Sequence, residues 1–150
     1  MFDHEESPFS KTVQVSPRIN STEYVKARCL FDTGCYQGNI VSRSLVERLG
    51  YTESDFEPLG IREAHGGQTV TGEQVAVEAV VRLSWHHNTS THTYQRMRFL
   101  VSSSTRCDMI VGVHSILKHQ LLSELVFATG AHHIPSAGKL LSISLCYYLC

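Results

Sequence analysis

Asp32, Thr33 and Gly34 stand together at the end of an apolar run, Ala27-Arg28-Cys29-Leu30-Phe31, that reads as a buried strand. An acid, a hydroxyl and a glycine contribute little to packing. They are better suited to chemistry: the carboxylate can activate water, the hydroxyl can hold the loop, and glycine lets a substrate backbone come close. Taken alone, the triplet reads more readily as a turn, because Asp and Gly are common turn residues. It occurs once in the 150 residues, which makes copy number the central question.

The flanking pattern says what must position these residues. Thr12 to Val15 alternates as a short strand, followed by a turn around Ser16-Pro17 and Asn20-Ser21. Glu23 to Phe31 reads as a second strand running into the Asp32 loop, which Gly34 and Gly38 mark as tight. Ser42 to Leu49 reads as a helix: Ser44 and Glu47 have capping-box spacing, Ser42 is an alternative cap, Leu45 and Leu49 share a face, and Gly50 is a natural stop. Gly66-Gly67 marks a turn before a long alternating strand, Val70 to Trp85. Val75, Val77, Val81, Leu83 and Trp85 fall on one face of it, with Val80 an exception on the other. His86 to His92 reads as a polar loop and Tyr94 to Val101 as a strand. Ser102 to Thr105 reads as a turn, Asp108 to Gly112 as a buried strand and Val113 to Leu122 as a second short helix. The fold class is mostly β, a small closed barrel with two short helices. Residues 1–10 read as a loose terminus, 11–122 as the folded domain and 123–150 as a tail of uncertain structure.

The apolar fraction of 42% is ordinary for a globular protein, and one domain with a real core is expected. A net charge of −1 with no basic stretch argues against a nucleic-acid surface. Met1 to Ser10 is acidic and polar and lacks the apolar core of a signal peptide, and Leu140 to Cys150 is too short to span a bilayer. The five cysteines are odd in number and scattered, which does not suggest a disulfide framework. A reducing, cytoplasmic setting without membrane attachment is the expectation.

Three elements recur in a fixed order, and together they resemble a retropepsin-like aspartic protease domain of the retroviral and retrotransposon type, closest to those of fungal proteins. The stretch Cys29 to Gly50 resembles that family's active-site strand, loop and following segment. Ala64-His65-Gly66-Gly67-Gln68, with Val70-Thr71-Gly72, resembles its flap. Phe99-Leu100-Val101, followed by Cys107 to Leu117, resembles its apolar-apolar-glycine motif and helix. The resemblance implies an acid-protease barrel and an endopeptidase with no cofactor and no metal. Peptide hydrolysis needs a base for water and an acid for the carbonyl or amine. Two adjacent carboxylates sharing one proton supply both, because like charges that close cannot both ionise. With one triplet per chain, the resemblance implies a homodimer with Asp32 from each subunit. It further implies that Thr33 bonds across the two-fold axis and that Gly34 leaves room for the peptide. Ala64, His65, Gly66, Gly67 and Gln68 would cover the substrate. Ile110 and Val111 would pack behind the Asp32 loop, and Gly112 would allow the chain to cross.

Cys35 and His114 depart from that family's pattern. Cys35 stands where a small residue is usual; packing is its plain role, since nothing cationic adjoins it to favour the thiolate. The nine histidines give no metal spacing: His86-His87 and His132-His133 are adjacent pairs, and His114 and His119 lie five apart. The tail run Leu140 to Cys150 reads as a dimer-interface strand, a non-native extension or an exposed apolar segment. The alternative function is a catalytically inactive binding or dimerisation module in the same fold.

Overall fold

The computed structural model describes residues 9–19, 22–65, 67–68 and 74–122. The expectations for the first residues, for Gly66, for Val70-Thr71-Gly72 and for the tail 123–150 lie outside the described residues.

Among the described residues, eight strands and two α-helices follow one another as β1 (Ser10–Val15), β2 (Val25–Asp32), β3 (Ile40–Ser42), α1 (Arg43–Arg48), β4 (Gly67–Gln68), β5 (Gln74–Val75), β6 (Ala79–His87), β7 (Thr93–Ser102), β8 (Met109–Gly112) and α2 (Val113–Lys118). Six strands close into a barrel in the order β1-β2-β8-β3-β7-β6, and β4 pairs with β5 in a separate antiparallel ribbon. The expected architecture, mostly β with a closed barrel and two short helices, is therefore the one observed. No helix among the described residues is long and apolar enough to cross a membrane.

Burial follows from the alternation of strand side chains. Ala27, Cys29 and Phe31 of β2, Val41 of β3, Val81, Leu83 and Trp85 of β6, Met97, Phe99 and Val101 of β7, and Met109 and Val111 of β8 fill the interior. Three neighbouring strands are covered on the outer face too. Leu30, Ile40 and Ile110 form a second cluster there with Cys107, and Cys35 and Val75 pack against it. Burial on both faces explains why Ile40-Val41 and Met109-Ile110-Val111 read as unbroken apolar runs, as parallel-paired strands do.

Several boundaries differ from the sequence expectation. The short strand β3 was not foreseen; three residues give no periodicity, and only pairing with β7 and β8 makes them a strand. Ser42, not Ser44, caps α1: its Oγ accepts the Leu45 N–H at 3.1 Å. The single long strand ending at Trp85 is instead two: β5 pairs with β4, the chain then runs irregularly through 76–78, and β6 joins the barrel. Val80 is buried on the unexpected face, where Glu57 exchanges two backbone hydrogen bonds with it. His86 and His87 belong to β6 rather than to a loop. His87 is buried, stacked on Phe31 with centroids 5.5 Å apart and edge-on to Trp85 at 5.2 Å. Helix α2 ends at Lys118, and Gln120 turns the chain at φ 54°.

The cap at Ser42 gives the first test. Ser42→Ala removes the acceptor for an orphan helix N–H and is expected to cost about 1 kcal/mol, read from the urea midpoint at unchanged slope.

Candidate active site

The parallel pairing of β2 with β8 brings Asp32 and Gly112 together. Cys29 lies beside Met109, Leu30 beside Ile110, Phe31 beside Val111 and Asp32 beside Gly112. Two sequence-distant motifs thus end side by side. Asp32, at 3% exposure, is buried at the strand end. The Gly34 N–H donates to Asp32 Oδ1 at 2.8 Å, and the Cys35 N–H donates to the Asp32 carbonyl at 3.1 Å. The backbone therefore holds both the carboxylate and its own carbonyl in a tight turn, with Thr33 half-buried between them.

The loop from Thr33 to Asn39 then folds over Gly112. The Cys35 carbonyl accepts the Val113 N–H at 3.0 Å. A Cβ on Gly112 would stand 2.7 Å from both the Cys35 and the Gly38 carbonyl oxygens, so only glycine fits without moving the loop. Gly38 itself holds φ at 133°, which side-chain-bearing residues rarely adopt.

Asn39 is the residue that sequence reasoning missed. It is nearly buried and uses its whole amide: Oδ1 accepts the Gly112 N–H at 2.9 Å, while Nδ2 donates to the Arg98 carbonyl at 3.0 Å and to Ser115 Oγ at 2.8 Å. One side chain ties the Asp32 loop to β7, to β8 and to α2. The only sequence signal was an Asn next to a glycine, which reads as an ordinary turn. The loop also carries a cost: Gln37 Nε2 is buried with no hydrogen-bond partner among the described residues.

Cys35 is a free thiol whose Sγ contacts the Gly38 carbonyl at 3.3 Å. Burial first, and then the negative charge of Asp32, push its pKa up to about 11. Both causes disfavour the thiolate, so its plain role is packing. Cys29 is a free, buried thiol in the interior, pushed up further by burial.

Ile110 and Val111 lie on opposite faces of β8, Val111 in the interior and Ile110 in the outer cluster. Of the expected flap, Ala64 and His65 lie in a short 3-10 turn, Glu63–His65, with Ala64 exposed. Gly67 and Gln68 form β4, facing Val75 and Gln74 across the ribbon. Val75 packs against the outer cluster that contains Leu30 and Ile110, so the ribbon lies against the same strands that end in Asp32 and Gly112. Among the described residues, no group of three or more His, Cys, Asp or Glu side chains is arranged to hold a metal ion.

No protein-family model matches this chain, and no curated protein matches it. Among solved structures the chain is similar to the retroviral protease-like domain of Ddi1 from Leishmania major, at 18% identity and a TM-score of 0.47, covering 73% of this chain and 77% of that one. It is also similar to a retropepsin-like aspartic protease from Rickettsia conorii, at 15% identity and a TM-score of 0.43, covering 73% of this chain and 81% of that one.

Two outcomes follow from this geometry. Gly112→Ala must displace backbone rather than a flexible side chain, and is expected to cost roughly 1–3 kcal/mol in denaturant unfolding. The Cys35 thiol is expected to resist iodoacetamide in the folded protein at pH 8. With the pKa near 11, only on the order of one molecule in a thousand carries the thiolate there. Mass spectrometry after a timed quench reads this, and prompt native-state labelling at Cys35 would contradict it.

Proposed function

We propose that this chain is a retropepsin-like aspartic endopeptidase that works as a homodimer, with Asp32 of each subunit forming the acid/base dyad. The observation that carries the reading is the setting of Asp32. It is buried at the end of β2, beside Gly112, with its carboxylate oriented by the Gly34 N–H. A carboxylate held in this way at a barrel end, with a two-stranded ribbon against the same strands, has the parts that water activation on an extended peptide requires.

In this reading the two Asp32 carboxylates share one proton. The ionised one takes a proton from water as it attacks the scissile carbonyl; the protonated one donates to the carbonyl oxygen. Collapse of the tetrahedral species returns a proton to the leaving amine. The backbone hydrogen bonds of the Asp32 turn and the Asn39 crosslink keep the carboxylates from relaxing away, which is the preorganisation such a reaction needs. Thr33 braces the two loops against each other across the axis. Gly34 leaves room for the peptide backbone, and the segment from Ala64 to Gln68 covers the peptide and excludes water. The peptide is the substrate, and no metal or cofactor enters the reaction.

The measurement is cleavage of a peptide library at mildly acidic pH by the wild type and by Asp32→Asn. The substitution keeps the shape and removes the acid/base group, so activity is expected to fall by at least about a hundredfold. Cleavage unchanged in Asp32→Asn would remove the assignment. Sedimentation over a range of concentrations checks the dimer. A strict monomer cannot assemble the dyad and would favour a binding module in the same fold.

A further inference from the structure

Arg98 of β7 is bonded both to the Asp32 loop and to the turn that precedes the β4–β5 ribbon. Its backbone carbonyl accepts from Asn39 Nδ2 at 3.0 Å, at the end of the Asp32 loop. Its guanidinium grips Glu63 with two parallel bonds, Nη1 to Oε1 at 2.6 Å and Nη2 to Oε2 at 2.7 Å. Glu63 opens the 3-10 turn that leads into β4, and its Oε2 also accepts the Gly60 N–H at 2.8 Å. The carboxylate thus closes its own turn while being held to β7 in the bidentate geometry that fixes orientation as well as distance.

The other root of the ribbon lands on the same strand. Past β5, Ser102 Oγ donates to the Ala76 carbonyl at 2.6 Å, and the Glu78 N–H donates to the Val101 carbonyl at 2.8 Å. The Glu78 carboxylate accepts from Arg43 Nη1 at 2.6 Å and from the Ser103 hydroxyl. Arg43 opens α1, directly after the cap residue Ser42 of β3. Both roots are therefore tied to β7, and β7 is the strand that Asn39 ties to the Asp32 loop.

We propose that Glu63 and Arg98 are positioning residues that register the β4–β5 ribbon to the Asp32 loop, with Glu78 holding the second root. The inference deepens the protease reading: the pair sets where the ribbon lies against the substrate side of the barrel. It takes no part in the chemical step.

The test is site-resolved hydrogen exchange on Glu63→Gln, Arg98→Gln and the double variant, none of which alters Asp32 or its turn. Amides of residues 67, 68, 74 and 75 are expected to exchange about tenfold faster in each single variant, while interior barrel amides keep their protection. The double variant should match either single one, because each removes the same bond. The charge-swapped pair, Glu63→Arg with Arg98→Glu, should restore part of the protection. Unchanged ribbon exchange, or an equal loosening of barrel and ribbon, overturns the proposal. This arm needs no substrate, so it decides the point even if the wild type cleaves no peptide. On an active enzyme the same single variants are expected to raise KM about tenfold with kcat within twofold. A fall in kcat at unchanged KM would overturn the positioning role while leaving the protease reading in place.

Discussion

The closest constraint in this molecule is the absence of a side chain at Gly112. Two carbonyl oxygens, of Cys35 and Gly38, stand where a Cβ would be, and this close passage lets the Asp32 loop fold over the end of β8. Everything at the site depends on that crossing. Asp32 reaches its buried place because β2 pairs with β8 up to the last residue of each. Asn39 reaches the Gly112 N–H because the loop has already closed over it.

The same three strands, β2, β8 and β3, are buried twice: on the inside by the main core and on the outside by a small cluster that Val75 helps to cover. This second layer gives the ribbon an apolar seat, while the ion pairs at its roots give it direction. The division is physically sensible, because apolar contact is non-directional and bidentate ion pairs are not. Exposed ion pairs add little to overall stability, so the worth of the Arg98–Glu63 pair lies in geometry.

Much of this was legible in the residues. The strand ending in Asp32, the glycine after Ile110-Val111, the helix seeded by Leu45 and Leu49 and the alternation from Val81 to Trp85 all follow from period and turn chemistry. What escaped was set by partners far away in the chain. Ile40 to Ser42 is a strand only because β7 and β8 flank it. His87 looks polar, yet the ring of aromatic side chains at that barrel end buries it. Asn39 looks like turn punctuation, and its three hydrogen bonds depend on Arg98, Gly112 and Ser115 arriving from elsewhere. The cap at Ser42 was ambiguous for a simpler reason, since two serines two residues apart both offer an acceptor.

The parallel β2–β8 ladder has a consequence in time as well as in space. The Arg28 N–H is held by Asp108 Oδ2 across 80 residues of chain, and Asn39 finds Gly112 across 73. Contacts of such long sequence separation close late, because the loop entropy must be lost before they form. On a ribosome, the segment carrying Asp32 emerges well before the strand that completes its surroundings. A nascent chain therefore carries the acid without its setting, and the site is assembled only once synthesis has passed α2.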